Sequence, residues 1–275
     1  MMAAALAAFY RGVKVGHVEA GLRSGNLLSP FPEEMNRRVA TVVSSLHFAP
    51  TDAAVRSLLH EGIPKENVFL TGNPVIDALQ MVLSSRLPEE ARTLLARAGI
   101  GGNNGDPKLI LVTAHRRENF GERFESLCRG LKAVVQRNED VALIYPVHLN
   151  PNVQTPVFRI LEGQDRVLLT NPVEYDVLAH LMKASYVILT DSGGIQEKAP
   201  ALGKPVLIMR TETERPEGVE AGTARRVGPF EDRIVEETER LLRDKAAYER
   251  MARAVNPYGD GHAAGRIVDA IRRFI

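Results

Sequence analysis

Several shortages bound what this sequence can be. It has one cysteine, Cys128, so no intrachain disulfide is available and a reducing compartment, the cytoplasm, is expected. It has no surplus of one charge. Its 35 basic side chains meet 34 acidic ones, and a net charge of +1 gives no global field to draw nucleic acid or an anionic membrane. Any phosphate binding must therefore be local. No apolar run approaches the ~20 residues that a membrane-spanning helix needs. The alanine-rich opening M-M-A-A-A-L-A-A-F-Y lacks a basic n-region and reads as a helix, not a secretory signal. The sequence has no internal repeat and no close set of His, Cys or Asp at a spacing used by zinc, so no metal and no cofactor is expected.

What is present is alternation. With 44% hydrophobic and 25% charged residues the chain is of globular composition, and 275 residues suit two units of roughly 100 to 150 each. Short β-branched runs at 13–18, 45–49, 67–70, 109–113, 141–145, 166–169, 186–190 and 205–209 alternate with segments of helical period. Across 123–137, for example, Phe124, Leu127, Leu131, Val134 and Val135 fall on one stripe. This pattern predicts an α/β fold with parallel sheets and crossover helices. The change of domain is placed near T-G-N-P at 71–74. Residues 1–72 then belong to a first domain, with 258–275 packing back on it, and 73–257 to a second. The turn-rich window G-I-G-G-N-N-G-D-P, 99–107, is expected to be a surface loop.

Ligands of parallel sheets bind beyond the carboxyl ends of the strands, which makes the residues after each run the candidates. In L-T-D-S-G-G-I-Q-E, 189–197, a strand delivers the chain to Ser192, Gly193 and Gly194 at a helix start, where free N–H groups and the helix dipole favour an anion. An ordinary tight turn with Ser192 as N-cap fits the same spacing. H-V-E-A-G-L-R-S-G places Glu19 at a strand end before a glycine-bearing loop. In F-P-E-E-M-N-R, Glu33 and Glu34 suit the first turn of a helix, and helix-start electrostatics is the expected role of Glu34. H-R-R-E-N brings His115, Arg116 and Arg117 together, with guanidinium forks that match phosphate and an imidazole that titrates near neutrality. His148 also follows a strand. His47 and His60 are given no role.

Taken together, H-V-E-A-G-L-R-S-G, F-P-E-E-M-N-R, T-G-N-P-V-I-D-A-L, H-R-R-E-N-F-G, P-V-H-L-N-P-N-V, T-D-S-G-G-I-Q-E, T-E-R-P-E and N-P-Y-G-D-G resemble the non-hydrolysing UDP-N-acetylglucosamine 2-epimerases over nearly the whole chain. The resemblance implies two Rossmann-like domains facing a cleft (GT-B-like), in a homodimer. It implies interconversion of UDP-GlcNAc and UDP-ManNAc, through elimination and re-addition of UDP by way of 2-acetamidoglucal, for bacterial surface polysaccharides. Glu19 and Glu33 then match the acid/base pair and His115 the group beside the leaving diphosphate. Ser192, Gly193, Gly194 and Arg215 match positions around UDP, while Arg116 and His148 match a second, activating UDP-GlcNAc site. The family's opening strand with its G-T-R-P-E-type loop, and its G-D-T motif with a catalytic aspartate, have no counterpart here, so an N-terminally shortened member is expected. An apolar face of the helix starting at Met1 is then expected to be exposed. Lys198 stands where the family has a glutamate that holds the ribose hydroxyls. A non-catalytic UDP-sugar binder and a GT-B glycosyltransferase are the alternative readings.

Overall fold

The computed structural model describes residues 1–28, 31–103, 105–213 and 215–274. Asn104 and Glu214, which belong to motifs named above, lie outside the described residues, as do Ser29, Pro30 and Ile275. The chain divides into two units, Met1–Gln80 with Pro257–Ile275, and Met81–Asn256.

In the first unit β1 (Gly16–Val18), β2 (Leu46–Ala49) and β3 (Val68–Leu70) form a parallel sheet in the order β1-β2-β3. The helices Glu33–Val43 and Asp52–His60 make the crossovers. The second is capped by Thr51, whose hydroxyl accepts from the Ala54 N–H at 3.1 Å. Of the run 13–18 only the last three residues are strand, and Val13 is exposed. In the helix Met2–Tyr10 Ala5 is buried, while Phe9 and Tyr10 face solvent.

The C-terminal helix Ala263–Phe274 lays Ile267 and Ala270 on Leu46 and Phe48. Its first N–H groups, from Ala263 and Ala264, are met by the carboxylate of Asp77 at 3.1 and 2.9 Å. Gly72 and Gly259 approach so closely that a Cβ on either would come 3.2 Å from the other's Cα. These contacts use the first turns of the helix Pro74–Ser84. The division between the units falls inside that helix.

The second unit carries β4 (Lys108–Thr113), β5 (Val141–Pro146), β6 (Val167–Thr170), β7 (Val187–Thr190), β8 (Val206–Ile208) and β9 (Ala224–Arg226) in one parallel sheet of order β6-β5-β4-β7-β8-β9. Successive residues of β4 enter different cores. Ile110 and Val112 pack with Phe124, Leu127 and Leu131 of the helix Glu122–Arg137, whereas Leu109 and Leu111 pack with Leu94 and Leu181 on the other face. Burial on both faces is why these strands read as unbroken apolar runs. Cys128 lies in the first of these cores, and burial pushes its thiol up to about 12. Strand β9 has no such run, because it is an edge strand with Arg225 and Arg226 exposed. No helix among the described residues is long and apolar enough to cross a membrane.

Candidate functional site

The strand order locates the site of the second unit. The chain builds β4, β5 and β6 outward to one edge, then returns to the other side of β4 with β7, β8 and β9. The order therefore reverses between β4 and β7, and the crevice beyond the carboxyl ends of two such strands is where open α/β sheets bind ligands. Register Thr113↔Thr190 sets the two strand ends level, and their hydroxyls meet at 2.6 Å. His115 and Arg116 follow β4, and Asp191, Ser192, Gly193 and Gly194 follow β7. His148, after β5, stacks its ring on that of His115 at 5.3 Å between centroids. The same sheet end thus brings together His115, Arg116, His148 and the Ser-Gly-Gly turn.

Ser192 occupies the N-cap of the helix Gly193–Lys198 but makes no side-chain cap hydrogen bond. The reading of Ser192 as a conventional capping side chain is therefore not met. The Ser192 N–H is donated to Thr190 Oγ1 at 2.9 Å. Around Gly194 a Cβ would meet only the Lys198 ammonium, 4.0 Å away. That ammonium lies 4.8 Å over the ring of Tyr175, and burial pushes its pKa down while neighbouring Glu197 pulls it up. Arg215 is buried and its guanidinium pairs with the carboxylate of Glu197, so the glutamate of this helix is engaged inside the protein.

Asp191, to which the sequence motifs assign no role, organises this sheet end. It is fully buried, and one carboxylate oxygen accepts the main-chain N–H groups of His115 (2.9 Å) and Arg116 (2.8 Å) and the Asn119 amide (3.3 Å). Its place after a strand was a signal, but the Ser-Gly-Gly that follows drew the functional assignment. Burial pushes the Asp191 carboxyl up, opposed by the Arg116 N–H and by His115. Desolvation pulls the His115 imidazole down, against the charge of Asp191.

Glu19 and Glu33 belong to the first unit. Glu19 is exposed at the carboxyl end of β1 and holds φ at +60°, which side chains with a Cβ rarely adopt. Such strain costs on the order of 1 kcal/mol and collects at working sites. The next turn is held by Gly21 at φ +85°, where a Cβ would come 2.2 Å from the Ala54 carbonyl oxygen. Arg23 then ties the loop to Glu61 through two 2.7 Å hydrogen bonds. Glu33 begins its helix in the open. Glu34 is fully buried and accepts from the Ser24 N–H (3.0 Å) and from Arg38 (3.2 Å). Glu34 lies in the first turn of its helix, and its carboxylate also anchors the loop that follows Glu19.

Behind that loop, His17 and His47 are paired in register on β1 and β2, and both are buried. Burial, then His47, Arg23 and Arg37, lower His17 to about 4 from an ordinary 6.5. The folded protein binds this proton less readily than the unfolded chain does. The stabilisation from neutral His17 is therefore complete above pH 6.5 and disappears as pH falls through 4. The difference amounts to about 3 kcal/mol. Urea unfolding at pH 7.5 and pH 4.5 is expected to show a lower midpoint at the acidic value, and His17→Asn should narrow that gap.

Among the described residues no group of three or more His, Cys, Asp or Glu could hold a metal ion. The class these observations define is an α/β protein with two parallel-sheet units and an anion-compatible turn at a topological switch point. The family model of UDP-N-acetylglucosamine 2-epimerase matches residues 1–272. The enzyme of that name from Escherichia coli K12 is 50% identical over 271 residues, covering 98% of this chain and 72% of its own length. That of Salmonella typhimurium is 50% identical over 273 residues, covering 99% and 73%. The crystal structure of UDP-GlcNAc 2-epimerase from Neisseria meningitidis bound to UDP-GlcNAc is 44% identical, covers 99% of this chain and 73% of its own, and superposes with a TM-score of 0.90. The chain belongs to the non-hydrolysing UDP-N-acetylglucosamine 2-epimerase family, with its GT-B-like fold class.

Proposed function

We propose that this epimerase interconverts UDP-GlcNAc and UDP-ManNAc by removing the C2 proton and expelling UDP, then re-adding UDP to 2-acetamidoglucal with the proton returned on the other face. The C2 proton is weakly acidic, so its removal needs a placed carboxylate, and the departing diphosphate needs positive stabilisation. Glu19 and Glu33 serve as acid and base. His115 stands beside the leaving diphosphate. Ser192, Gly193, Gly194 and Arg215 hold UDP, and Arg116 and His148 belong to a second UDP-GlcNAc site. The enzyme works as a cytoplasmic homodimer supplying N-acetylmannosamine units for surface polysaccharide. The observation that carries the reading is the strained, exposed Glu19 at a strand end, in a chain half identical to named epimerases. Incubation with UDP-GlcNAc in deuterated water should yield UDP-ManNAc and deuterium at C2 of both sugars. Absence of both would remove it.

Lys198 favours a second reading, binding of a UDP-sugar without turnover, because an ammonium beside Gly194 stands where the family's ribose-binding carboxylate is expected. Calorimetric titration with UDP alongside the deuterium experiment separates the two: heat without epimer supports the second reading, and turnover eliminates it.

A further inference from the structure

The second carboxylate oxygen of Asp191, Oδ1, is buried without a hydrogen-bond partner. Leaving such an atom unmet is costly, so a donor within reach has a physical reason to turn toward it. One lies within reach: His115 Nδ1 is 3.8 Å away, while the ring is about two-fifths exposed on its other side. Around the other oxygen the 115–119 loop is wrapped by three N–H donors, and Asn119 is itself fixed by the Met209 carbonyl at 3.0 Å. The backbone that carries the ring is therefore held by the same carboxylate that faces the ring. The opposing ring is fixed too, since His148 Nδ1 accepts the Asn150 N–H at 3.1 Å.

We propose that Asp191 is a positioning residue for the epimerase reaction, holding His115 with its Nδ1–H turned to the open carboxylate oxygen so that Nε2–H donates to the departing diphosphate. This rests on the reading of His115 as the group beside the diphosphate. Contact closes from 3.8 Å by a small rotation of the ring when the imidazolium forms, as catalytic hydrogen bonds tighten on ligand binding. No proton need be transferred, because as the C1–O electron pair moves onto the diphosphate oxygen the cation offsets the charge that develops. The groups facing His115 act in both directions: Asp191 and Glu118 favour its cation, while Arg116 and His148 oppose it. Asp191 is the one among them that is fully buried and meets the ring through a defined nitrogen.

The test is ring ¹⁵N and C2–H NMR of the full chain with assigned His115, beside steady-state kinetics. In the unaltered protein neutral His115 should be the Nδ1–H tautomer, and the Nε2–H tautomer would overturn the proposal. Asp191→Asn keeps an acceptor for the two main-chain N–H groups but can present an amide donor to Nδ1. It should switch the tautomer, lower the apparent pKa of His115, and reduce kcat by about tenfold or more with KM little changed. An unchanged His115 titration in folded Asp191→Asn would make Asp191 a loop anchor only. In a His115→Gln background the same substitution should cost no further kcat, and an undiminished loss there would also overturn the proposal. If His115→Gln alone leaves kcat intact, the reading of His115 fails, while the NMR result still decides whether Asp191 sets its tautomer.

Discussion

Glu19→Gln and Glu33→Gln are each expected to lower kcat by about a hundredfold or more, while leaving the unfolding midpoint almost unchanged. Both residues are exposed, so neither substitution strands a buried group. Both remove a carboxylate that can take or return a proton, and the amide is close to isosteric. Deuterium exchange at C2 identifies which step is lost. A variant that still washes in deuterium yet gives no epimer has kept its base and lost the acid for the opposite face. One that does neither has lost the base. Loss of less than threefold in both variants would show that the acid/base work lies elsewhere.

Glu197→Ala is expected to be the most destabilising of the variants considered, by about 3 to 5 kcal/mol, because it breaks the buried pair that Glu197 forms with the Arg215 guanidinium. Removing one member of a buried pair costs more than replacing both by apolar side chains. Replacing both partners by leucine should therefore be milder than removing Glu197 alone. Urea denaturation compares the two. The link to function lies in Arg215, proposed to reach UDP: Glu197→Gln, which keeps an acceptor, should restore much of the stability while weakening UDP binding measured by calorimetry. Equal stability of Glu197→Ala and the unaltered protein would mean that the pair makes no net contribution.

Several features were legible from residue order because they depend on local chemistry. Buried strands advertise themselves as apolar runs, and His115 and Ser192 stand just past such runs. The edge strand Ala224–Arg226 gave no run, since one of its sides faces water. Glu33 and Glu34 are neighbours with equal helix-start credentials, and their separation into an exposed and a buried carboxylate follows from the rotation of one helix, about 100° per residue, against its sheet. Ser192 looked equally suited to capping and to ligand binding. In the fold the Ser192 hydroxyl makes no cap hydrogen bond, and Thr190 accepts the Ser192 N–H.

The sequence by itself determined the fold class, the family and the identity of the side chains available for chemistry, because apolar periodicity and ordered motifs are properties of the chain as written. The tertiary structure decided what those side chains serve. Only the strand order β6-β5-β4-β7-β8-β9 sets His115 and Asp191 side by side across 76 positions of sequence, and only burial gives one oxygen of that aspartate three donors and the other none. Pairing across a sheet and exclusion of water are collective outcomes of packing, so no local pattern encodes them.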